Sequence, residues 1–342
     1  MARKKVKITK RIIALIVVAA VILTLSLALI ITNFFVPVMY ISAYAVSPVK
    51  NQAGVMRVSF VDVDFGDCTI VELPDGKTML IDGGDGAYSN NLRLLKALNR
   101  RGIDKIDYLI CTSVRDEHCG GLKEVVKYKQ IGTAYLPYCI NTRITKQFYN
   151  FVSELRAKSV ETVYAGAGKG VDGGDYFFTF LSPATHLSDK SEYVELNKSP
   201  TNENIDNASV VTWLEFGNTS FTFCSDVRET ALKRIISEYN LSLNTGAAFC
   251  GVGDKGVRLE ECDVVTVAGH GAEKNSYAPW YEALKPKDAV ISVGKNFAGC
   301  PSSAAIADVM QYTLRTPLIT SENGEIIFKV TATDYIVDKE KK

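Results

Sequence analysis

Cys111-Thr112-Ser113-Val114-Arg115-Asp116-Glu117-His118-Cys119-Gly120-Gly121-Leu122 is the stretch on which the fold turns. It continues a short apolar run, Ile106–Cys111, that reads as a buried strand. It runs into Leu122–Tyr128, whose spacing predicts a helix. Between the two lie an arginine, two acids, a histidine and a glycine pair. This is where chemistry is expected, because Glu117 and His118 are zinc ligands by atom type.

Upstream, Met56–Val63 is rich in Val and Phe, and Cys68–Leu73 is a second strand-like run. Pro74-Asp75-Gly76-Lys77 is a turn signal, Lys77–Ile81 closes a hairpin, and Asp82-Gly83-Gly84 ends it in a loop. Leu92, Leu95 and Leu98 give Asn91–Arg101 helical spacing, with Gly102 placed as a C-cap. Downstream, Thr133–Leu136 reads as a strand and Gln147–Lys158 as a helix. Ser188–Asn207 reads as a polar loop, and Ser209–Phe216 with Thr219–Cys224 as a hairpin across Gly217-Asn218. Glu229–Tyr239 and Ser302–Gln311 read as helices, Val264–Val267 and Ala289–Val293 as strands. Leu318–Ile319 with Glu325–Val330 reads as a closing hairpin across Glu322-Asn323-Gly324. Gly166–Gly174 lacks the Lys-Ser/Thr ending of a phosphate loop and reads as a hairpin turn. Helices alternate with strands, no internal repeat occurs, and residues 56–332 form one α/β domain, followed by a charged tail at 333–342.

The first 55 residues are different. Residues 1–11 carry six basic residues and no acid, and no charged residue occurs from Ile12 to Val49. Ile12–Val36 is long enough to cross a ~30 Å hydrocarbon core. Residues 12–39 therefore read as a transmembrane signal-anchor helix behind a cytoplasmic tail, 1–11, with a linker at 40–55. The basic cluster keeps the N-terminus inside and the domain extracytoplasmic. Ala43-Tyr44-Ala45 has the form of a cleavage site, but the apolar run exceeds the ~7–15 residues of a cleaved signal. The chain has 342 residues, 47% hydrophobic and 23% charged, with net charge +1; without the basic tail the remainder has 33 basic and 38 acidic residues. That excludes a disordered chain and argues against nucleic-acid binding by bulk charge.

Val61-Asp62-Val63-Asp64-Phe65-Gly66-Asp67-Cys68, Pro74–Lys77 and Leu80-Ile81-Asp82-Gly83-Gly84 resemble the opening of a metallo-β-lactamase-fold domain, of the type fused to the bacterial DNA-uptake channel ComEC. That family continues with Thr-His-x-His-x-Asp-His-x-Gly-Gly. Aligned on Thr112 and Gly120-Gly121, Ser113 and Arg115 stand at the first two histidines, Glu117 at the aspartate and His118 at the last histidine. Asn207-Ala208-Ser209 and Ser225-Asp226 resemble its Asn-x-Ser strand and Gly-Asp metal bridge. Ala268-Gly269-His270-Gly271 resembles its His-His-Gly, with Gly269 at the first histidine. Ile291-Ser292-Val293-Gly294 and Gly299-Cys300-Pro301-Ser302 resemble its closing motifs, with Cys300 at a histidine. The resemblance implies a four-layer αββα sandwich, here preceded by one transmembrane helix.

On this alignment the family's two-metal centre is largely lost. Ser113 is a poor ligand, and Arg115 is a permanent cation that repels a divalent ion. Glu117, His118, Asp226 and Cys300 remain as metal-ligand candidates, holding either a single zinc ion or none, with Arg115 paired to Asp116, Glu117 or Asp226 in the latter case. Asp226 and His270 are the catalytic candidates; His186 reads as a surface residue. Eight cysteines in an oxidising compartment permit disulfides, and Cys119 with Cys300 is the pair placed to bond or share a metal. The expected function is a membrane-anchored ComEC-like protein with a degenerate metal site and a binding or accessory role, linked to DNA uptake. The alternative is a mono-metal hydrolase acting on a phosphodiester such as DNA. The expected partners are the membrane, a membrane complex and, through the resemblance only, nucleic acid.

Overall fold

A computed structural model describes residues 10–35, 40–138, 144–184, 200–294 and 299–340. The first element is a 26-residue helix, Lys10–Phe35, about 39 Å long at ~1.5 Å per residue. Among the described residues it alone is long and apolar enough to cross a membrane, and none of its membrane-length window is buried in the protein.

Among the described residues, fifteen strands follow. The first group is β1 (Met56–Phe60), β2 (Thr69–Glu72), β3 (Thr78–Ile81), β4 (Lys105–Ile110), β5 (Gln130–Leu136) and β6 (Glu161–Tyr164). The second is β7 (Gly170–Asp172), β8 (Tyr176–Ser182), β9 (Val211–Phe216), β10 (Thr219–Phe223), β11 (Val264–Thr266), β12 (Asp288–Ile291) and β13 (Leu318–Ile319). β14 (Ile326–Val330) and β15 (Tyr335–Lys339) end the chain. One sheet has the order β15-β14-β1-β2-β3-β4-β5-β6 and the other β13-β12-β11-β10-β9-β8-β7.

Side-chain alternation builds the layers. In β2 and β3, Val71, Met79 and Ile81 face the second sheet, whereas Ile70 and Leu80 face helices. In β9, Leu214 and Phe216 face inward and Val211 and Trp213 outward. The inter-sheet core includes Phe60, Phe178, Phe180, Phe221 and Phe328. The helices Tyr88–Arg100 and Lys146–Ala157 cover one outer face, and Glu229–Thr245, Ala278–Leu284 and Ser303–Met310 cover the other. This is the four-layer αββα arrangement. Strands buried on both faces explain the near-continuous apolar runs of the sequence.

Three local readings are corrected. Leu318–Ile319 and Glu325–Val330 do not form a hairpin: β13 pairs parallel with β12, while β14 pairs with β1 in the other sheet. Leu318 of β13 and Ile326, Phe328 and Val330 of β14 reach the same inter-sheet core from two different sheets, which a turn signal cannot reveal. The supposed tail at 333–342 contains β15, paired along all five residues of β14. Its Tyr335 and Val337 pack on the inter-sheet core while Ile336 and Asp338 alternate outward. The supposed linker at 40–55 includes a short helix, Ile41–Tyr44, seated on Tyr88–Arg100.

Candidate metal and ligand pocket

The loops that follow β3, β4, β10, β11 and β12 meet at one place. β3–β4 and β10–β12 are parallel runs within their own sheets, so their carboxyl ends share an edge, the usual position of a site in a parallel sheet. Asp82 follows β3, Thr112–His118 follows β4, Ser225-Asp226 follows β10, His270 follows β11 and Ser292 follows β12. Asp67 joins them from the loop between β1 and β2. Glycines let these loops interlock: a Cβ on Gly120 would overlap the Asp85 main chain, and one on Gly66, at φ 137°, would overlap the Glu117 carbonyl. Four non-glycine residues around the pocket, Asp64, Asp82, Ser225 and His270, have left-handed φ of 53–64°. Backbone strain of this kind gathers at functional sites.

His118 is fully buried at the centre. Its Nδ1 lies 2.8 Å from Asp82 Oδ2 and 3.5 Å from Asp67 Oδ2. Asp82 also accepts the Thr112 amide at 2.7 Å, and the Thr112 hydroxyl lies 2.6 Å from that of Ser225. The opposite His118 nitrogen, Nε2, is 3.1 Å from Asp226 Oδ2 yet is not aligned for a hydrogen bond. His270 lies beside it, the two rings stacked at 5.3 Å, with Phe65 on the other side at 4.9 Å. His270 Nδ1 is 2.9 Å from the Ser292 carbonyl. A carbonyl only accepts, so Nδ1 is the donor. His270 Nε2 is buried without a hydrogen bond among the described residues.

The charges are coupled. Burial works against protonation of His118, but Asp226 and Asp82 outweigh it and hold its pKa well above the ordinary value. Burial would raise the Asp226 carboxyl, and His118, His270 and Arg115 depress it instead. Asp67 is lowered in the same way, His270 and His118 overcoming its burial. Asp82, deepest of the three, is raised by burial despite His118.

Arg115 extends from the loop after β4. Its Nε lies 2.6 Å from Asp206 Oδ1 and 3.6 Å from Asp226 Oδ2. Arg228 takes the other Asp206 oxygen, with Nε at 2.7 Å. Asp206 is buried on the helix Asn202–Asn207, in a stretch read from sequence as loop. Its role in pairing Arg115 had no signal in the sequence.

Of the residues singled out earlier, His118, Asp226 and His270 converge. Cys300 stands near enough for the Asp226 charge to raise its thiol pKa, added to the effect of burial. Glu117 is placed differently: its main-chain carbonyl accepts the Asp67 amide at 3.1 Å, and its carboxylate acts on Arg115. The three residues whose ligand atoms all lie within 4.8 Å of one another are Asp67, His118 and His270. Asp67 lies in the opening motif, at Gly66-Asp67-Cys68, and nothing in its sequence context marks it as a ligand. Among the described residues no cysteine is joined to another by a disulfide, and Cys139 and His186 lie outside the described residues. Cys119 packs among the helices of the first sheet and Cys300 against those of the second, so the pairing expected of them does not form. Burial pushes the Cys119 thiol up to about 12.

A metal of the kind this fold usually binds can be tested against these residues. The two-ion ligand set does not fit, because Ser113, Arg115 and Gly269 offer no metal ligand at three histidine positions. One ion fits by donor type: two buried imidazoles each have a nitrogen without a hydrogen bond, and their other nitrogens are anchored by Asp82 and Ser292. Anchoring of that sort orients metal-binding histidines.

The metallo-beta-lactamase superfamily model matches residues 61–139. The chain is 22% identical over 291 residues to ComE operon protein 3 of Bacillus subtilis (strain 168), covering 80% of this chain and 33% of that protein. It therefore spans about a third of the length of the curated relative it matches. Among solved structures it is similar to the metallo-beta-lactamase fold protein YhfI of Bacillus subtilis, with TM-score 0.44 and 10% identity over 82% of this chain and 99% of that one. It is also similar to Tm1679, a metal-dependent hydrolase of the beta-lactamase superfamily, with TM-score 0.45 and 13% identity over 83% and 100%. From β1 to β14, the chain carries a metallo-β-lactamase-fold domain, similar in sequence to the part of ComE operon protein 3 that it matches.

Proposed function

We propose that this protein is a single-pass membrane protein, N-terminus cytoplasmic and domain outside, whose pocket has lost two-ion hydrolysis and serves a binding or accessory role. By its likeness to ComE operon protein 3, that role belongs with DNA uptake at the membrane, alongside a membrane-complex partner. The observation that carries this reading is the Arg115 guanidinium, held by Asp206 and close to Asp226. A fixed cation there neutralises the carboxylates that metal ions would otherwise bridge.

The second reading, a mono-metal phosphodiester hydrolase, is favoured by one observation, the buried His118 and His270 Nε2 atoms that make no hydrogen bond. Asp67, His118, His270 and Asp226 would hold the ion. When bound it would polarise a phosphoryl oxygen as a Lewis acid. Asp82 and Ser292 orient the two imidazoles, and Arg115 stands ready to pair with an anionic group.

Metal analysis of the full chain in detergent separates the two readings. Substoichiometric zinc and manganese, with no cleavage of single-stranded DNA, is the expected result. One ion per chain together with cleavage that His118→Ala abolishes would overturn it in favour of the second reading.

A further inference from the structure

The segment that leaves the membrane helix is clamped to the domain at the pocket end. Five residue steps separate Phe35 from Tyr40, so the domain begins within about 18 Å of the helix end at ~3.6 Å per residue. From there the chain runs along Tyr88–Arg100 from its first turn to its last. The Tyr40 ring lies 5.4 Å from that of Tyr88 and 6.0 Å from that of Tyr128. Ala43 is fully buried with Leu95, and its carbonyl accepts the Asn99 side chain at 2.9 Å. Val49 donates to the Arg100 carbonyl at 2.7 Å. The buried Lys129 ammonium braces the arrangement, 2.6 Å from Asn99 Oδ1 and over the Tyr44 ring at 5.8 Å.

This docking fixes which end of the domain meets the bilayer. Tyr88 opens the helix that follows the Asp82–Ala87 loop, and that loop interlocks with Gly120, two residues after His118. Around the exit point, Ile41, Tyr44 and Tyr88 are 37%, 39% and 44% exposed. Lys96, two turns beyond Tyr88 on the same side of its helix, and Lys127, whose Nζ lies 5.0 Å from the Tyr128 ring centre, are exposed beside them. An apolar residue, two tyrosines and nearby lysines, with the carboxylates of Glu124 and Asp104 also close to Tyr40 and Tyr44, match a membrane–water interface in having aromatic rings for headgroup depth and ammonium groups that reach outward.

We propose that the face bearing Ile41, Tyr44 and Tyr88 rests in the headgroup layer of a lipid bilayer, so that the Asp67–His118–His270 pocket opens close to the membrane surface. The occupant of this face is lipid because the face is continuous with the helix that enters it.

The test uses the full chain in phosphatidylcholine–phosphatidylglycerol vesicles containing lipid brominated near the headgroup end of its acyl chains. The native tryptophans, Trp213 and Trp280, are 0% and 1% exposed and provide a shielded background. Tyr88→Trp and, independently, Ile41→Trp place a reporter on the face. Leu314→Trp places one at the opposite end of the domain, where Leu314 is 78% exposed and its amide bonds Lys287 ahead of β12. Loss of most of the added emission at positions 88 and 41, with none at 314, is the expected result. No loss at 88 and 41 would overturn the proposal. Equal loss at all three would also overturn it, by showing a domain that swings freely on its anchor.

Discussion

The Arg115 guanidinium reaches across 91 residues of sequence to Asp206, with its Nε 2.6 Å from Asp206 Oδ1. That contact ties the loop after β4 to the helix Asn202–Asn207 and sets a permanent positive charge beside Asp226. Arg115 thus becomes part of the domain's internal ion pairing.

Arg115→Ala tests this structural share. It removes one of two cations from the buried Asp206 and leaves Arg228 to satisfy it. The cost falls below the ~3–5 kcal/mol of stranding a buried charge outright, at about 2 kcal/mol. Thermal unfolding of the full chain in detergent should drop by roughly 5 °C. An unchanged midpoint would show that Arg115 contributes nothing to the fold.

Arg115→His tests the metal side. It restores one imidazole, while Ser113 and Gly269 still lack ligand atoms. Zinc titrated calorimetrically against this variant should bind at no more than one ion per chain. Two ions per chain would show that Arg115 was the sole obstacle to a binuclear centre.

The fold was legible because its signals are redundant. The 56–81 hairpin, the glycine loops and the apolar strands each point to the same sandwich, and both sheets' burial pattern repeats them. His118 and Asp226 were legible because their motifs keep their order along the chain. Asp206 was not, since a single acid in a polar stretch differs in no way from a solvated one until Arg115 and Arg228 are seen around it. Neither was β15: Tyr335-Ile336-Val337 is strand-like, but three such residues ahead of a charged end are too short a run to read as a strand apart from the β14 edge they pair with. The part Glu117 takes in holding the Asp67 loop, its carbonyl accepting the Asp67 amide, rests on main-chain geometry and has no side-chain signal in the sequence.

Topology has its own test. With the six basic residues of 1–11 held inside, protease added to intact cells should digest the domain. A domain protected until the cells are lysed would reverse the orientation.

Asn99→Ala tests the clamp on the segment that follows the N-terminal helix. The buried Asn99 donates to the Ala43 carbonyl and accepts from Lys129. Its loss leaves Lys129 with Asp104, whose side chain is 94% exposed. One unsatisfied buried group costs about 1–3 kcal/mol. That cost falls on the docked segment, so limited proteolysis between residues 40 and 50 should accelerate well before global unfolding shifts. Unaltered cleavage there would mean that the segment is held by Tyr40 and Ala43 packing alone.

Gly269→His asks whether the family's histidine can be put back. Gly269 sits at φ 57°, the left-handed conformation that His270 beside it also adopts, and its amide bonds the Ser225 carbonyl at 2.7 Å. A Cβ there would overlap the Asn275 side chain. That side chain cannot simply swing aside, because its amide donates to the main-chain carbonyls of Asp226 at 2.6 Å and Val227 at 3.2 Å. Displacing it strips two buried carbonyls of their donor and frees the loop that presents Asp226. Overpacking costs about 1–3 kcal/mol, and the lost hydrogen bonds add to it. Gly269→His should therefore lower the unfolding midpoint further than Arg115→Ala and gain no zinc, and adding Asn275→Gly should recover part of the stability by clearing the space. A Gly269→His variant of native stability that binds zinc would show that the pocket still accepts the family's ligand set.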